Sequence, residues 1–151
     1  MAGNRSQMGT DLEQRPDMLD RPLPDVNNPF SKVFWEACHE HRLSLQKCDH
    51  CGTVRYYPRP FCPECQSGDH QWITCSGRGT VYSFTVVHRP LTRWFKGKVP
   101  MTVAVVELEE GTRMMSNVID VDPEQVKVGM PVQVSFEDVD EHITLPLFRP
   151  V

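Results

Sequence analysis

Four cysteines in the middle of the sequence have the residue type and spacing of a metal site. They form two C-x-x-C pairs within CDHCGTVRYYPRPFCPEC, as Cys48, Cys51, Cys62 and Cys65. Each C-x-x-C turn aims two sulfurs at one point, so two turns supply four thiolates to one tetrahedral zinc ion. Such a closed site leaves no position for water or substrate. The predicted zinc is therefore structural, and it stabilises a segment too short to fold alone.

Other uses of the four cysteines fit the sequence less well. The chain lacks the apolar region of a signal peptide and any apolar run of the roughly 20 residues that span a bilayer. We therefore expect a cytoplasmic protein without a membrane segment, whose thiols stay reduced. A thioredoxin-like redox pair would be a single C-x-x-C within a βαβ pattern, which is not seen here. Iron in a rubredoxin-like site needs the same ligands and stays open as the alternative metal.

The remaining thiols and the nearby histidines have simpler interpretations. Cys38 and Cys75 are expected to be small buried hydrophobic residues. Cys75 has the residue type of a nucleophile, but no base lies near it in the sequence. His50 and His70 are expected outside the ligand set of the metal. The sequence shows no nucleophile accompanied by bases and an oxyanion hole, so we expect any chemistry to occur on a partner protein.

A second group of interest is the segment RPLTRWFKGK, residues 89–98. It combines basic and aromatic side chains without an acid, as Arg89, Arg93, Trp94, Phe95, Lys96 and Lys98. Phosphates need such cations, and a pantetheine or acyl group needs an apolar track, so coenzyme A or acyl-CoA is one predicted ligand. Two alternatives stay open: a solvated or partner-facing loop, and a site where bases of a single nucleic-acid strand stack.

The charge of the chain disfavours a long nucleic acid as the partner. The net charge is −4, and residues 107–141 contain ten acids against Arg113 and Lys127. An acidic surface repels a long polyanion but tolerates a compact one. Nucleic acid is therefore the less favoured ligand of the basic segment.

The N-terminal elements precede both groups. Residues 1–28 contain scattered prolines and charges, which predicts an extended arm. Apolar residues at three- and four-residue spacing then predict an amphipathic helix over residues 29–45. This helix either packs on its own domain or docks another protein through Phe30, Phe34 and Trp35.

The cysteine segment, residues 46–75, is the predicted zinc ribbon, and residues 76–151 are the predicted barrel. From residue 76 the pattern changes to period two, and five segments predict short strands: GTVYSFTVVHR, MTVAVVELEEG, TRMMSNVID, VKVGMPVQVSFEDV and HITLPLFRP. Five short strands without a competing helical pattern predict an OB-fold barrel. The predicted fold class is mainly β, with an N-terminal helix, a four-cysteine zinc ribbon and a five-stranded antiparallel OB-fold barrel.

The order of these segments resembles a known family. LSLQKCDHCGTVRYYPRPFCPEC is followed by SGRGTVYSFTVVHRP, VAVVELEEGTRMMSNV, VGMPVQVSFEDV and a terminal TLPLFRP. The series is similar to bacterial and archaeal proteins that join a rubredoxin-like zinc ribbon to an OB-fold. These proteins usually carry a preceding helix with a Phe-Trp pair, here Phe34-Trp35. The resemblance covers residues 29–150.

The resemblance implies a function that the residues alone do not. Such proteins act as small partner subunits of acyl-CoA enzymes, and in some of them the barrel helps to hold coenzyme A. The expectation is a non-catalytic accessory subunit in a hetero-oligomer with a thiolase-type catalytic subunit. That complex would cleave a 3-oxoacyl-CoA, in a pathway such as aromatic or sterol degradation. The alternatives are a thiolase-like aldolase, hydroxymethylglutaryl-CoA synthase or enoyl-CoA hydratase as partner, and a single-stranded nucleic-acid-binding protein.

Overall fold

The structure is a computed structural model, and it describes residues 21–151. The predicted arm over residues 1–28 thus lies mostly outside the described residues. Its described part, residues 21–28, contains no helix or strand. Within the described residues, none of the helices has the length and apolar character needed to cross a membrane.

The predicted N-terminal helix is present but shorter than residues 29–45. Helix α1 spans Lys32–His39 and buries one face. It ends because the next turn is not helical: His41 has a left-handed backbone with φ of 56°. Its N–H bonds to the Cys38 carbonyl at 2.9 Å, which closes the helix and redirects the chain into the first strand.

The ribbon is a three-stranded antiparallel sheet. Its strands are β1 (Ser44–Cys48), β2 (Val54–Arg55) and β3 (His70–Thr74), in the order β2-β1-β3. Gln46 of the central strand pairs with Arg55 on one side and with Trp72 on the other. The two C-x-x-C turns lie between these strands in the chain, so the ribbon sheet is the support of the cysteine site.

The remaining strands close into a five-stranded barrel in the order β4-β5-β6-β8-β7. The strands are β4 (Arg78–Val87), β5 (Met101–Leu108), β6 (Arg113–Val118), β7 (Pro131–Asp138) and β8 (Thr144–Pro150). All neighbours are antiparallel except β6 and β8, which pair in parallel at Val118 and Phe148. This is the arrangement of an OB-fold. The predicted fold class is confirmed.

One apolar core joins the helix, the ribbon and the barrel. The buried residues of β5 alternate with half-buried ones, as expected for a strand with one face inward. Phe34 of α1 and Leu45 of the ribbon belong to the same cluster as Val106 and Phe148 of the barrel. The ribbon is therefore packed directly on the barrel.

A polar joint adds to this apolar contact. His41 Nε2 lies 2.9 and 3.0 Å from the two carboxylate oxygens of Asp138, and its ring stacks on Phe136 with 5.4 Å between centroids. The Thr144 hydroxyl donates to the same carboxylate at 2.7 Å. Hydrogen bonds with His41 and then with Thr144 lower the pKa of Asp138. His41, which follows α1, is thus bonded to β7 through Asp138, and Asp138 is bonded in turn to Thr144 of β8.

Candidate metal centre and ligand pocket

The four predicted cysteine ligands converge on one point. Their sulfurs all lie within 4.8 Å of one another, and the Cys48–Cys65 and Cys51–Cys62 pairs are 3.6 Å apart. Four sulfurs placed about 2.3 Å from a tetrahedral zinc ion are separated by about 3.8 Å, so the arrangement fits this metal. Cys48 and Cys62 are buried, whereas Cys51 is exposed. A closed tetrathiolate site of this kind supplies structure rather than a reaction.

The two C-x-x-C turns have the same backbone hydrogen bonds. Gly52 N–H bonds to the Cys48 carbonyl at 3.0 Å, and Gln66 N–H bonds to the Cys62 carbonyl at 3.0 Å. Both residues have left-handed backbones, with φ of 76° and 64°. Glycine adopts the positive φ of Gly52 without strain, whereas Gln66 adopts the same conformation with a side chain.

The pKa values of the cluster thiols depend on their hydrogen bonds. Hydrogen bonds with the side chain and backbone of Thr53 lower the pKa of Cys51 to about 6. A hydrogen bond with the Ser67 backbone lowers the pKa of Cys65, but burial and hydrogen bonds with the neighbouring sulfurs raise it to about 12 overall. A divalent ion binds all four sulfurs as thiolates, so zinc binding would release the protons that the thiols carry.

A buried polar network supports the ribbon beside the cysteines. Gln46 accepts hydrogen bonds from Arg55 Nε at 2.8 Å and from the Arg59 backbone at 3.0 Å. Its amide nitrogen can only donate, so His70 Nε2, 3.1 Å away, is the acceptor. The proton of His70 is then on Nδ1, which donates to the Gly68 carbonyl at 3.0 Å.

This network accounts for the two histidines near the site. His70 is engaged in hydrogen bonds and His50 is exposed, and neither belongs to the cysteine cluster. Sequence reasoning did not find Gln46 and Arg55. Two long polar side chains on short strands carry no signal of burial, although both prove to be almost fully buried.

Two of the three candidate docking residues are buried by the chain itself. Phe34 and Trp35 are 0% and 9% exposed and lie in the core of the chain. Trp35 also donates its ring N–H to the Tyr57 hydroxyl at 3.0 Å. The helix thus uses this pair to pack on its own domain, which was the alternative interpretation of the apolar face. Phe30, at 51% exposure, is the one of the three that can reach another protein.

The basic segment forms the connection between β4 and β5. Its centre is a short 3₁₀ helix, Arg93–Phe95, and the Trp94 and Phe95 rings meet edge to face with 4.9 Å between centroids. Arg89 and Lys96 are exposed. The structure brings Trp94, Phe95 and Lys98 together along one cavity of about 260 Å³.

Trp94 contacts two cations. The guanidinium of Arg21 and the ammonium of Lys98 each lie 4.4 Å from its ring centroid. Arg21 also donates to the Glu137 carboxylate at 2.8 Å and is nearly buried. Arg21, which precedes α1, therefore contacts both the basic loop and strand β7. Sequence reasoning did not find Arg21 or Glu137, because they come from parts of the chain with no shared pattern.

Neither of the remaining cysteines is activated as a nucleophile. Burial raises the pKa of Cys38 to about 12. Burial, together with the charge of Glu110, raises the pKa of Cys75 to about 12 as well. Both thiols are therefore protonated near neutral pH, as expected of small buried hydrophobic residues.

Two family models match the chain in consecutive segments. The rubredoxin-like zinc ribbon domain of ChsH2 matches residues 35–71, and the C-terminal OB-fold domain of ChsH2 matches residues 72–137. A DUF35 domain-containing scaffold protein from Methanothermobacter thermautotrophicus is 39% identical over 102 residues, which are 67% of this chain and 76% of that protein.

Two further relatives carry names that mention an enzyme. A probable enoyl-CoA hydratase alpha subunit from Thermomonospora curvata is 42% identical over 139 residues, which are 91% of this chain. The chain spans only 42% of the length of that relative. A solved structure described as the Ltp2-ChsH2(DUF35) aldolase is 39% identical, with a TM-score of 0.74, over 86% of this chain and 98% of that one.

Proposed function

Since the chain belongs to the family that joins the ChsH2-type zinc ribbon to the ChsH2-type OB-fold, we propose that it is an accessory subunit of an acyl-CoA enzyme complex. In this proposal a partner chain carries out the reaction. The ribbon and helix α1 dock that partner, and the loop between β4 and β5 lies near the coenzyme A.

The burial and the pKa values of the cysteines support the proposal that this chain is not catalytic. Acyl transfer through a thioester needs a thiol that ionises near neutral pH and a base beside it. Four of the six cysteines form the metal cluster. The other two, Cys38 and Cys75, are buried with pKa values raised to about 12. The described residues thus offer no thiolate for acyl transfer.

For the partner we propose an enzyme that breaks a carbon–carbon bond in an acyl-CoA, either an aldolase or a thiolase. The solved structure named for an aldolase supports this choice, because this chain aligns with 98% of that chain. A hydratase partner is the second candidate. It is supported by the identity of 42% to the hydratase alpha subunit, although that match covers less than half of the relative.

The proposed contacts with coenzyme A use the cations of residues 89–98. Arg89, Lys96 and Lys98 are exposed in the connection between β4 and β5 and suit phosphate oxygens. Arg93 lies in the 3₁₀ helix of the same loop. A nucleic-acid strand is a poorer fit, because a base stacked on Trp94 would have to displace Arg21 or Lys98 from the ring.

The proposal is tested by isolating the complex and assaying it. The tagged chain is purified from its own cells, and co-purifying subunits are identified by mass spectrometry. We expect one aldolase- or thiolase-type subunit in near-equal amount. Adding this chain to that purified subunit should raise its rate of acyl-CoA cleavage. A hydratase subunit would favour the second candidate, and salt-sensitive binding to single-stranded DNA without an enzyme partner would overturn the proposal.

A matched pair of variants tests the docking face. Phe30→Ala, in the exposed turn just before α1, is expected to weaken the complex. Met115→Ala removes a similarly exposed apolar side chain, 64% accessible, from barrel strand β6 and should leave the complex unchanged. Equal effects of the two variants would remove α1 from the proposed interface. Phe34 is unsuitable for this test, because truncating a buried Phe costs about 3–5 kcal/mol of folding stability.

A further inference from the structure

We propose that the cavity beneath Trp94 binds the hydrocarbon end of an acyl group whose anionic head lies beside Lys98. The inference rests on the proposed function for the choice of an acyl ligand. It goes beyond that proposal by assigning to this chain, rather than to the partner, a site for the acyl tail.

The cavity has an apolar side whose residues come from separate elements, and Arg21, Thr102, Asn117 and Glu137 also line it. Trp94 and Phe95 of the loop face Val118 of β6 and Leu145 and Leu147 of β8. β6 and β8 pair at only one position, Val118 with Phe148, and this pairing closes the barrel. The cavity therefore lies where the barrel closes. An apolar, largely preformed cavity with a few polar groups at its edge is the usual form of a small-molecule site.

The volume limits what the cavity can hold. At about 260 Å³ it is slightly smaller than the roughly 300–1,000 Å³ of pockets that enclose a whole drug-sized ligand. Coenzyme A, with its nucleotide and pantetheine arm, exceeds this space. The cavity therefore suits one end of such a molecule, and its apolar walls select the hydrocarbon end.

The charge at the mouth determines the kind of head group. Arg21 is paired with Glu137 at 2.8 Å, so these two charges offset each other. Lys98 contacts the Trp94 ring, and no carboxylate of residues 21–151 lies within ion-pair distance of its ammonium group. Within the part of the chain that the structure describes, the charge of Lys98 is thus not offset by an ion pair, and such a charge beside an apolar surface favours a ligand with an apolar tail and an anionic head.

Two sources supply the hydrocarbon tail. A free carboxylic acid would place its carboxylate beside Lys98, whereas an acyl group on coenzyme A would place its neutral thioester there, with the phosphates at the far end of the pantetheine arm. Isothermal titration calorimetry of the full chain with butanoate, hexanoate, octanoate and decanoate tests the first. Affinity should rise by about fourfold per added methylene, the value for transfer of a methylene from water, until the cavity is full, and then level off. Octanoyl-CoA and coenzyme A alone test the second.

Three variants locate the binding. Leu147→Trp fills the cavity and should abolish the dependence of affinity on chain length. Lys98→Met should weaken octanoate binding by about fivefold, as for an exposed ion pair. Lys96→Met is the matched control, because Lys96 belongs to the same loop but does not line the cavity, and it should change nothing.

Each outcome decides the matter. Chain-length-dependent binding that is lost on filling the cavity supports the proposal, and tighter binding of octanoyl-CoA than of octanoate identifies the carrier. An affinity independent of chain length, or equal effects of the two lysine variants, overturns it. If Leu147→Trp fails to fold, the chain-length series and the lysine pair still decide. If the chain forms the enzyme complex but does not bind the acids, only the proposed acyl site is wrong. If the chain binds the acids but forms no enzyme complex, the proposed function is wrong.

Discussion

The ribbon and the barrel are both antiparallel β-structures, but they are stabilised in different ways. The ribbon has strands of five, two and five residues, and its interior includes the polar Gln46 and Arg55. The barrel has strands of six to ten residues that close on themselves, so every strand has a neighbour on both sides. A sheet as small as the ribbon buries too little apolar surface to fold alone, and the metal supplies what the core lacks.

Removal of one zinc-binding thiolate is expected to have the largest effect, and it should unfold the ribbon but not the barrel. Cys48→Ser should release the zinc ion and unfold the ribbon, because binding of a structural zinc contributes on the order of 10 kcal/mol to the folding of such a module. The barrel should keep its β-structure with a lower melting temperature, since it loses the apolar contacts of Phe34 and Leu45. Metal content by mass spectrometry and far-UV circular dichroism measure both effects.

The control for this variant is Cys75→Ser, which changes a thiol outside the cluster. It should retain full zinc content, although it places a hydroxyl in a buried site. Full zinc content and an unchanged melting temperature in Cys48→Ser would show that the four-thiolate site is wrong.

The second effect tests the close packing of the barrel. An ideal Cβ on Gly79 of β4 would collide with the Glu107 carbonyl and would lie 2.8 Å from Val106 Cγ1, both on β5. Gly79→Ala should therefore push the two strands apart and cost about 1–3 kcal/mol, as overpacking typically does. Chemical denaturation measures the loss.

A glycine of the ribbon region provides the comparison. A Cβ on Gly68 would meet its nearest atoms at 3.7 Å, which is ordinary contact. Gly68→Ala is thus expected to be neutral, or to stabilise the chain by about 0.4–1 kcal/mol by restricting the unfolded state. If the two variants were equally stable, the close approach of β4 and β5 would not be a constraint on the barrel.

A smaller effect distinguishes the two turns of the ribbon itself. Gly52 has a φ of 76° with no atom within 4 Å of an added Cβ, so Gly52→Ala introduces backbone strain alone. The cost should be about 1–2 kcal/mol, seen as faster loss of zinc to a chelator. Gln66→Gly relieves the same kind of strain in the second turn and should slow zinc loss. The change should be smaller than that in Gly52→Ala, because the variant also loses the hydrogen bond from the Gln66 side chain to the Pro63 carbonyl. Identical zinc loss in both variants would contradict this account.

The sequence predicted those parts of the molecule whose residues follow a regular pattern within a short segment of the chain. The C-x-x-C spacing identified the metal cluster, and the alternation after residue 75 identified the five barrel strands. An amphipathic pattern shows that a helix has an apolar face but not what covers that face, so the sequence left open whether Phe34 and Trp35 contact a partner or lie in the core, where the structure places them. The joint of His41 with Asp138, 97 residues apart, depends on the folded topology and has no sequence signal.

The smallest expected effect concerns this joint between the two regions. The carboxylate of Asp138 has a lowered pKa because His41 and then Thr144 bond to its charged form. A carboxyl whose pKa is lower in the folded state stabilises that state above its unfolded pKa of about 3.9, and the contribution is lost as the pH falls through the lowered value. Asp138→Asn should therefore lower the melting temperature by the same small amount at pH 5 to 8, with the difference disappearing in stronger acid.

Two measurements distinguish the effect of the His41–Asp138 contact on stability from the effect of zinc loss. Protonated thiols release zinc in acid, so zinc content is recorded in the same samples and only differences between wild type and variant are compared. Glu141→Gln, which changes an exposed acid three residues after Asp138, should not affect the melting temperature at any pH. If Asp138→Asn behaves like this control, the apolar core alone attaches the ribbon to the barrel. If it behaves as expected, the ribbon keeps a fixed orientation through a polar contact that its own zinc does not supply.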